Sequence, residues 1–512
     1  MIGEALEAHS TLGDLAREIA GSIVIGDPTT VVCDVRHDAR EVQPGDVFVA
    51  CKGQRVDGAV YVPDALARGA VAVIAESPLA IAVPQLVVPD ARRALAFASS
   101  AVWCHPSFSM EVIGVTGTNG KTTTTWLIEH ILQRLGRSIG ILGTVEHRLG
   151  AHRWAAAHTT PESDDLTRRL AAMRALGATE IAMEVSSHAL ALQRVESVRF
   201  RVAAFTNLTQ DHLDFHSSME DYAQSKRRLF TTLGPAMSVL NIDDPTGAAW
   251  AREGVAGQLL TTSARGDRAA DFYAINADFS ASGITATIAS PAGELALRSP
   301  LVGRHNLENL LTALASVAEL GVSLSEAAAT LTDAIGAPGR LEPVRTKDPG
   351  FPAVFVDYAH TPDALANVLQ ALRKVTRGRL FCVFGCGGDR DARKRAPMGL
   401  AVAEGADIAV LTTDNPRSET PTDIANDAVV GLKNGQMRAV TTQELSVASR
   451  GSYCVVLDRR EAIAVAIESA GKDDVVLIAG KGHETYQEVL GVRHAFDDRV
   501  EAAAVLSRRE PL

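Results

Sequence analysis

The stretch GTNGKTT at 117–123 combines residue types that bind the phosphates of a nucleotide. A glycine-rich turn aims successive backbone N–H groups at one point, and the N-terminus of a following helix adds partial positive charge there. Lys121 adds a full charge for the outer phosphates, and Thr122 adds a hydroxyl for Mg²⁺. The strict pattern G-x-x-x-x-G-K-[ST] fails by one residue, because Val115 stands where its first glycine should be. The alternative, a turn that only links a strand to a helix, does not explain the Lys-Thr pair. We therefore predict that the whole loop binds phosphate: Gly117, Thr118, Asn119, Gly120, Lys121, Thr122 and Thr123.

The elements around this loop follow from hydrophobic periodicity. An apolar strand at 112–115 precedes the loop, and apolar residues at helical spacing follow it up to Leu135. Two further apolar strands, Ile181–Met183 and Val202–Phe205, run into Glu184 and into NLTQDHLDFH at 207–216. Ligands of open parallel sheets lie beyond the carboxyl ends of the strands, which places Glu184 and His212 near the loop. Mg²⁺ prefers oxygen ligands, so Glu184 fits a metal site better than His212, and either residue is also compatible with an ordinary loop.

Lys226 is the next residue whose side chain could take part in chemistry. A helix is predicted to begin near Ser218, with Asp221 three residues on completing a capping box, and Lys226 falls on its apolar stripe. Such a lysine often extends outward to solvent or pairs with an acid. The alternative is a lysine whose pKa is depressed by burial, leaving a neutral amine able to react with CO₂ and become a carbamate.

Four more apolar strands near the C-terminus each end in a polar cluster. The predicted strands are Val354–Val356, Leu380–Phe384, Ile408–Thr412 and Val475–Ala479. The clusters that follow them are DYAHTPDAL (357–365), GCGGDRD (385–391), DNPR (414–417) and GKGHE (480–484). Because strand ends of a doubly wound sheet converge on one crevice, we predict a substrate site there.

Length and composition limit the protein class. A chain of 512 residues implies about three α/β domains, which we place at 1–108, 109–337 and 338–512. The net charge of −11 argues against broad binding to nucleic acid or anionic membranes. The N-terminal segment lacks a basic region followed by an apolar one, and no apolar run reaches about 20 residues, so a cytoplasmic protein is expected. The six cysteines form no C-x-x-C pair, which argues against zinc and disulfide frameworks.

Eight motifs together resemble the Mur ligase family, from about residue 30 to the C-terminus. They are GTNGKTT, MEVSSH, NLTQDHLDFH, YAQSKRRLF, GRHNLENL, PGRLE, DYAHTPDAL and DNPR. The DNPR form resembles the members that add meso-diaminopimelate. The resemblance implies a UDP-MurNAc-binding domain, a central P-loop ATPase domain with a parallel sheet, and a mobile, Rossmann-like C-terminal domain that binds the amino acid. It also implies a monomer that uses ATP and Mg²⁺.

The resemblance further implies a reaction and its residues. ATP converts the D-glutamate side-chain carboxylate of UDP-N-acetylmuramoyl-L-alanyl-D-glutamate into an acyl phosphate, which the incoming amine attacks. Lys121, Lys226 and His212 would be catalytic, and the metal site would comprise Thr122, Glu184, His212 and a carbamylated Lys226. Beyond the loop, ATP would be bound by Asn306, Arg340 and Asp357. The muramyl dipeptide would be bound by Asp38, Ala39, Thr159, Thr160, Ser186 and Arg194. Diaminopimelate would be bound by Arg390, Asp414, Asn415, Pro416, Arg417, Gly480 and Glu484.

We expect Arg417 to determine which amino acid the protein selects. Its guanidinium can hold the far carboxylate of diaminopimelate by two hydrogen bonds, and we expect it to lack a partner when lysine binds. The alternative is an arginine that caps a helix after Pro416 or pairs with Glu419.

Some positions depart from the family pattern, and other functions stay open. Ala39 replaces a common serine, His158 a common asparagine and Leu192 a common glutamine, while 434–452 resembles an insertion without an assigned role. The alternatives are a folylpolyglutamate synthetase-like ligase, the same reaction with L-lysine, a nucleotide-dependent switch and a non-catalytic UDP-sugar-binding protein.

Overall fold

The computed structural model describes residues 10–53, 56–156, 158–209, 211–212, 215–334, 336–344 and 350–508. Gln54 and Arg55 of the loop 52–58, and Gln210, Leu213 and Asp214 of the stretch 207–216, lie outside the described residues. The described chain forms two compact units. The first contains the described parts of Met1–Ser263, Asp267–Phe272 and Leu311–Ser323, and the second those of Ala264–Gly266, Tyr273–Leu310 and Leu324–Leu512.

The N-terminal part of the first unit is a small α/β structure. Its five-stranded sheet has the order Ile23–Ile25, Gln85–Val87, Ala72–Ala75, Val47–Val49 and Val35–Arg36, and only the first strand is antiparallel to its neighbour. Ser10–Thr11 and Val31–Val32 form a separate antiparallel pair. Both Ala72–Ala75 and Val47–Val49 are buried throughout, as expected for parallel strands covered on both faces.

The rest of the first unit contains the phosphate-loop sheet. In spatial order its strands are His152–Trp154, His147–Leu149, Ile139–Leu142, Glu180–Glu184, Glu111–Thr116, Phe200–Phe205, Met237–Asn241 and Gln258–Ser263. The strands from Ile139–Leu142 to Gln258–Ser263 are parallel. The strands that end at Glu184, Thr116 and Phe205 are adjacent, so their carboxyl ends share one edge of the sheet.

The loop between Glu111–Thr116 and the helix Lys121–Arg134 requires glycine at its start. Gly117 has φ +147°, and a Cβ atom there would lie 1.9 Å from Thr206 Oγ1 on the neighbouring segment. Any larger residue would push the loop away from the strand end, so Gly117 sets how closely the two segments approach.

The second unit contains the doubly wound sheet that the sequence predicts. Its order is Glu342–Val344, Ala353–Asp357, Val475–Ala479, Leu380–Phe384, Ile408–Leu411, Ser452–Val455 and Arg438–Ala439, and all strands but the first are parallel. Leu380 and Phe384 pack on one face with the helices Pro362–Arg373 and Arg395–Gly405, while Phe381 and Val383 pack on the other with Arg459–Ser469. The strand Val475–Ala479 comes late in the chain but lies between two earlier strands.

A buried ion pair joins the last helix to this sheet. Arg459 donates from Nε and Nη2 to the carboxylate of Asp498, both at 2.7 Å, and both side chains are fully buried. Arg459 Nη2 also donates to Ala479 O at 3.0 Å, so the pair reaches the end of a strand that precedes the GKGHE cluster.

The second unit also contains two antiparallel arrangements. The strands Phe272–Ser280 (in this unit from Tyr273 onward), Gly283–Ser290 and Gly293–Ser299 pair in sequence order. Tyr486–Val489 forms a hairpin with Val492–Ala495. The segment 434–452 contains the short strand Arg438–Ala439 and a 3₁₀ turn at Thr442–Val447.

The helices complete the described structure. In chain order they are Leu12–Glu18, Val62–Ala67, Ala91–Val102, Lys121–Arg134, Ser163–Ala175, Ser187–Ala191, Met219–Arg227, Pro245–Glu253, Arg304–Val317, Leu324–Thr330, Pro362–Arg373, Arg395–Gly405, Pro421–Asn434, Arg459–Ser469 and Asp498–Arg508. Ser218 caps Met219–Arg227 as predicted, accepting from Asp221 N at 3.1 Å, but the Asp221 carboxylate accepts from Ser217, so the reciprocal half of the capping box is wrong. Within the described residues, no helix combines the length and apolarity needed to cross a membrane.

Candidate functional site

The phosphate loop is braced by the segment that follows the adjacent strand. Thr118 N donates to Asn207 O at 2.8 Å, and Asn119 N donates to Asn207 Oδ1 at 3.0 Å. Lys121 Nζ lies over its own loop and donates to Gly117 O at 2.9 Å and to Thr118 O at 2.8 Å. The lysine charge is therefore held at the loop, where an anionic ligand would meet both it and the N-terminus of the helix Lys121–Arg134.

The buried carboxylate of Glu184 accepts hydrogen bonds from two threonine hydroxyl groups. It ends the strand Glu180–Glu184 and accepts from Thr122 Oγ1 at 3.0 Å. Thr144 donates to the same carboxylate from its N–H at 2.8 Å and its hydroxyl at 3.1 Å. Mg²⁺ prefers oxygen ligands, so a carboxylate beside two threonine hydroxyls is a suitable donor set. Sequence reasoning missed Thr144, although it follows the end of the neighbouring parallel strand Ile139–Leu142, and the strand-end rule applies to it too.

Lys226 is buried beside the phosphate loop. It is 1% exposed, and its Nζ donates to Gly117 O at 2.8 Å. Burial, and then repulsion from Lys121, hold the pKa of Lys226 well below its usual value, although Asp211 opposes this shift. The side chain does not extend to solvent, and the lowered pKa favours the neutral amine more than in an exposed lysine.

Tyr222 connects Lys226 with His212 and the loop. The Tyr222 ring lies 4.5 Å from Lys226 Nζ and 6.0 Å from the His212 ring, and its hydroxyl is 3.1 Å from Thr118 Oγ1. His212 also contacts the His188 ring at 4.9 Å. The structure thus brings Lys226, His212 and the loop together around Tyr222, a residue that the sequence analysis does not single out.

The residues expected to bind the dipeptide adjoin Glu184. Thr160 Oγ1 donates to Glu184 O at 2.8 Å and accepts from Ser186 N at 3.1 Å, while Arg194 Nη1 donates to Thr160 O at 3.0 Å. The hydroxyls of Thr159 and Thr144 are 3.0 Å apart. One hydrogen-bonded cluster therefore contains the four predicted residues of this region.

Two residues that depart from the family pattern lie in this part of the chain. His158 is exposed, and Leu192 follows the last residue of the helix Ser187–Ala191.

A cavity of about 840 Å³ adjoins the other two predicted substrate residues, Asp38 and Ala39. Asp38 caps the 3₁₀ turn Ala39–Glu41, accepting from Arg40 N at 2.9 Å, and Ala39 is buried. The cavity lining is His37, Asp38, Ala39, Arg40, Tyr61, Asp64, Ala67 and Arg68.

His37 ties this cavity to the helix Ser163–Ala175. Its Nδ1 is 2.8 Å from Asp164 Oδ1. Burial alone would lower the pKa of His37, but the hydrogen bond and the charge of Asp164 outweigh burial and raise it. His37, Asp164 and Asp165 are close enough to hold a metal ion, but Arg168 donates to both carboxylates at 2.9 and 2.8 Å and supplies the compensating charge.

In the second unit, the DNPR turn and the GKGHE cluster meet as predicted. Asn415 Nδ2 donates to Glu484 Oε2 at 2.9 Å, and Gly480 has φ +117°, with an added Cβ lying 3.6 Å from Asp414 Oδ2. The fully buried Lys481 donates to Asn415 Oδ1 at 3.0 Å and lies 3.4 Å from Glu484 and 3.5 Å from Asp414. Sequence reasoning named Gly480 and Glu484 but missed Lys481 between them.

Arg417 has partners within the protein. Its Nη1 donates to Gly388 O at 2.7 Å, and its Nε lies 3.8 Å from Glu488 Oε2. Glu419 instead accepts from Arg395 at 2.8 Å, so the alternative pairing of Arg417 with Glu419 is not formed. The guanidinium therefore has two groups of the protein itself as partners, a neutral carbonyl and a carboxylate. Two more predicted residues lie in or beside this turn. Pro416 O accepts from Glu419 N at 3.0 Å, and Arg390 of the GCGGDRD cluster borders Gly387, as Arg417 does.

The remaining predicted ATP residues belong to the second unit, whereas the phosphate loop belongs to the first. Asp357 accepts from Leu341 N at 2.7 Å and Ala359 N at 2.8 Å; burial raises its pKa, and the charge of Arg340 opposes that rise. The Arg340 guanidinium lies 5.3 Å from the Tyr358 ring. Asn306 Nδ2 donates to Val302 O at 2.9 Å, and its Oδ1 accepts from Asn309.

Comparison with known proteins extends these local findings to the whole chain. Family models match residues 33–102 (Mur ligase family, catalytic domain), 115–317 (Mur ligase middle domain) and 339–482 (Mur ligase, glutamate ligase domain). The chain is similar to proteins named UDP-N-acetylmuramoyl-L-alanyl-D-glutamate–2,6-diaminopimelate ligase from Streptomyces coelicolor and Gloeobacter violaceus. Identity to the first is 43%, covering 95% of this chain and 94% of the relative, and to the second 44%, covering 94% and 95%.

A solved structure titled as the same ligase is also similar. It covers 98% of this chain and 99% of its own, with a TM-score of 0.73 and 33% identity. The matched ranges include the phosphate loop, Glu184 with its hydrogen-bonded neighbours, and the DNPR turn. The identity extends over nearly the full length, which confirms the resemblance that the motifs predict. The chain belongs to the Mur ligase family.

Proposed function

We propose that this protein is an ATP-dependent ligase that joins meso-2,6-diaminopimelate to the D-glutamate side-chain carboxylate of UDP-N-acetylmuramoyl-L-alanyl-D-glutamate, a step of peptidoglycan precursor synthesis. The observation that carries the proposal is the near-full-length identity of 43% to the Streptomyces coelicolor ligase named for that reaction. Two groups of residues support the proposal: the phosphate loop with the Glu184 carboxylate and its threonine hydroxyls, and the charged cluster around the DNPR turn.

The first half of the reaction activates a poor electrophile. The D-glutamate carboxylate oxygen attacks the γ-phosphorus of ATP, and ADP leaves, so the product is an acyl phosphate. The barrier is mainly the approach of two anions, which Lys121 and the loop N–H groups lower by neutralising phosphate charge. In the second half, the amine attacks the acyl carbon, the C–O bond to phosphate breaks, and a proton passes from the amine to solvent.

The donor set around Glu184 fits Mg²⁺, and we assign the ion to Thr122, Glu184, His212 and a modified Lys226. When bound there, Mg²⁺ would neutralise charge on the transferring phosphoryl group. Thr144 and Thr122 hold the Glu184 carboxylate in one orientation through three hydrogen bonds.

We propose that Lys226 carries a carbamate. Its neutral amine attacks CO₂, a nitrogen–carbon bond forms and one proton leaves to solvent, so a buried neutral amine becomes an anion with two oxygen donors. Two observations support this: the lowered pKa and the position of Nζ beside the phosphate loop. Near a metal and phosphates, an anionic oxygen ligand is favoured over an ammonium group.

We assign the substrates to three regions, 1–108 for UDP-MurNAc, 109–337 for ATP and 338–512 for the amino acid. The cavity at Asp38 and Ala39 would take part of the sugar nucleotide, and the dipeptide would reach Thr159, Thr160, Ser186 and Arg194. ATP would also use Asn306, Arg340 and Asp357. Diaminopimelate would use Arg390, Asp414, Asn415, Pro416, Arg417, Gly480 and Glu484. We further propose a cytoplasmic monomer.

Release of ADP, measured with each substrate omitted in turn, tests this function. We expect rapid release only when UDP-muramyl dipeptide and meso-diaminopimelate are both present, with the tripeptide product detected by mass spectrometry. Slow release that does not depend on either small molecule would indicate a nucleotide-dependent switch. Release with a folate and glutamate would indicate the folylpolyglutamate synthetase-like alternative. Equal rates with L-lysine would contradict the amino-acid assignment alone.

A further inference from the structure

The backbone of Arg417 is clamped by the hairpin Tyr486–Val489/Val492–Ala495. Arg417 N donates to Glu488 O at 3.1 Å, and its carbonyl accepts from Leu490 N at 2.7 Å. These bonds form one isolated parallel bridge between Arg417 and Val489. Arg417 has φ +50°, a left-handed conformation that a non-glycine residue adopts only where its surroundings hold it. The position of the arginine is therefore set by backbone contacts, independently of its side-chain partners.

The side chain of Glu488 is placed by the same hairpin. Glu488 N donates to Asn415 Oδ1 at 2.9 Å, which joins the residue to the DNPR turn. Its carboxylate lies 3.8 Å from Arg417 Nε, and both side chains are 23% exposed. The guanidinium also donates from Nη1 to the neutral Gly388 carbonyl. The charge of Arg417 interacts in addition with the carboxylate of Asp389. Glu488 is thus the carboxylate paired with Arg417, at a separation longer than a tight two-bond pair.

We propose that Glu488 is a specificity-determining residue: an internal counter-carboxylate that pairs with Arg417 until the far carboxylate of the incoming amino acid replaces it. The inference rests on the proposed function. A long, partly hydrated ion pair is weak enough for a better-aligned carboxylate to displace. Once displaced, the Glu488 carboxylate has access to water, so its release is not costly.

This exchange predicts a different effect of Glu488 on the binding of diaminopimelate and of lysine. With diaminopimelate bound, Arg417 holds the ligand carboxylate and Glu488 is released. With lysine bound, no far carboxylate is present and Arg417 stays with Glu488, as in the free protein. Removing the charge of Glu488 therefore strengthens the binding of diaminopimelate, because no internal carboxylate has to be displaced. The binding of lysine stays almost unchanged.

Steady-state kinetics of Glu488→Gln test this exchange. At low salt, we expect the KM for meso-diaminopimelate to fall about two- to five-fold, the range that a partly exposed ion pair is worth, with kcat unchanged within two-fold. The rate with L-lysine should not rise, so the preference for diaminopimelate increases. Glu488→Asp, which keeps the charge on a shorter side chain, should give an intermediate KM. The difference between Glu488→Gln and wild type should shrink in 0.5 M KCl, because salt screens the pair.

Glu501→Gln is the matched control, since Glu501 pairs with Arg460 in another exposed ion pair of the same unit. It should leave the KM for meso-diaminopimelate unchanged. An unchanged KM in Glu488→Gln would overturn the inference and reduce Glu488 to a structural residue. A raised KM would also overturn it, because Glu488 would then bind the ammonium group of the ligand. If wild-type protein ligates no diaminopimelate, the proposed function fails and the inference fails with it. An active wild type with an unaltered Glu488→Gln variant rejects the inference alone.

Discussion

At the scale of single residues, Lys226 shows how burial sets chemistry. A lysine in water is almost entirely protonated at neutral pH, but this one lies beside the second cation of Lys121 and away from solvent. Its hydrogen bond to Gly117 O fixes Nζ at the first glycine of the phosphate loop. The same surroundings that make an ammonium group unfavourable make an anionic carbamate favourable once a metal and phosphates are present.

Lys226→Ala is expected to lose nearly all ligase activity, because the variant has no amine to form the carbamate. Short carboxylic acids such as formate or acetate should restore part of the activity by supplying the missing oxygen ligands. In wild-type protein incubated with ¹³C-bicarbonate, NMR should detect a carbamate carbon that is missing from Lys226→Ala. The exposed Lys472 offers a control, since Lys472→Ala should keep both the activity and the carbamate signal. Full activity in Lys226→Ala without added acid would reject the modification.

Arg417→Ala is expected to lower kcat/KM for meso-diaminopimelate at least about 100-fold, because a two-bond contact with the far carboxylate is lost. The KM values for ATP and UDP-muramyl dipeptide should stay within a few-fold. Since Glu488 and Gly388 already hold the guanidinium, the preference over lysine arises from the gained contact and not from a bare charge in the lysine complex. An unchanged preference in Arg417→Ala would contradict this assignment.

At the scale of elements, strands were more predictable than contacts. The strands at 354, 380, 408 and 475 were predicted to within two residues, because parallel strands buried on both faces appear as continuous apolar runs. The end of each strand then located a polar cluster. The roles of Glu488 and Thr144 were not predicted, because hydrophobic periodicity carries no information on contacts between distant segments. Glu488 contacts Arg417, 71 residues earlier in the chain, and Thr144 contacts Glu184, 40 residues later.

Two helices of the second unit approach through glycine. A Cβ atom on Gly431 of Pro421–Asn434 would lie 1.9 Å from Ala396 O, and one on Gly399 of Arg395–Gly405 would lie 2.1 Å from Ala428 O. Alanine normally stabilises a helix interior by about 1 kcal/mol relative to glycine. Gly431→Ala should instead destabilise the second unit by about 2–3 kcal/mol through overpacking, measured by urea unfolding. Gly471→Ala is the control, because its Cβ would find its nearest contact at 3.7 Å. Equal stability of the two variants would contradict the close approach.

The link between His37 and the helix Ser163–Ala175 should depend on pH. The pKa of His37 is raised, so its protonated form stabilises the fold fully below the unfolded value near 6.5, and this contribution is lost as pH rises through the folded value. Burial opposes ionisation of Asp164, but hydrogen bonding to His37 and nearby cations lower its pKa to about 2, so its charge persists across this window. His37→Ala should therefore destabilise the protein more at pH 6 than at pH 9 in urea unfolding. His494→Ala, on an exposed strand, should show no such difference. A loss independent of pH would mean that His37 acts only through packing.

At the scale of the whole molecule, two compact units imply that unfolding need not be a single transition. The predicted dipeptide residues all belong to the first unit, whereas Gly431 belongs to the second. In calorimetry, UDP-muramyl dipeptide at about 100 times its Kd should stabilise one transition by about 2.7 kcal/mol. Gly431→Ala should lower the other transition. A single transition that responds to both changes would show that the units unfold together.

The strand order of the second unit also has a consequence during synthesis. Val475–Ala479 fills the gap between Ala353–Asp357 and Leu380–Phe384, yet the ribosome makes it about ninety residues after Phe384. At about 5–20 residues per second, the apolar strand Leu380–Phe384 waits about 5–20 seconds for that neighbour. During this interval the nascent chain presents an open strand edge of the kind that pairs with other chains. Newly made molecules are therefore most prone to aggregate, and most dependent on chaperones, in the seconds before this central strand leaves the ribosome.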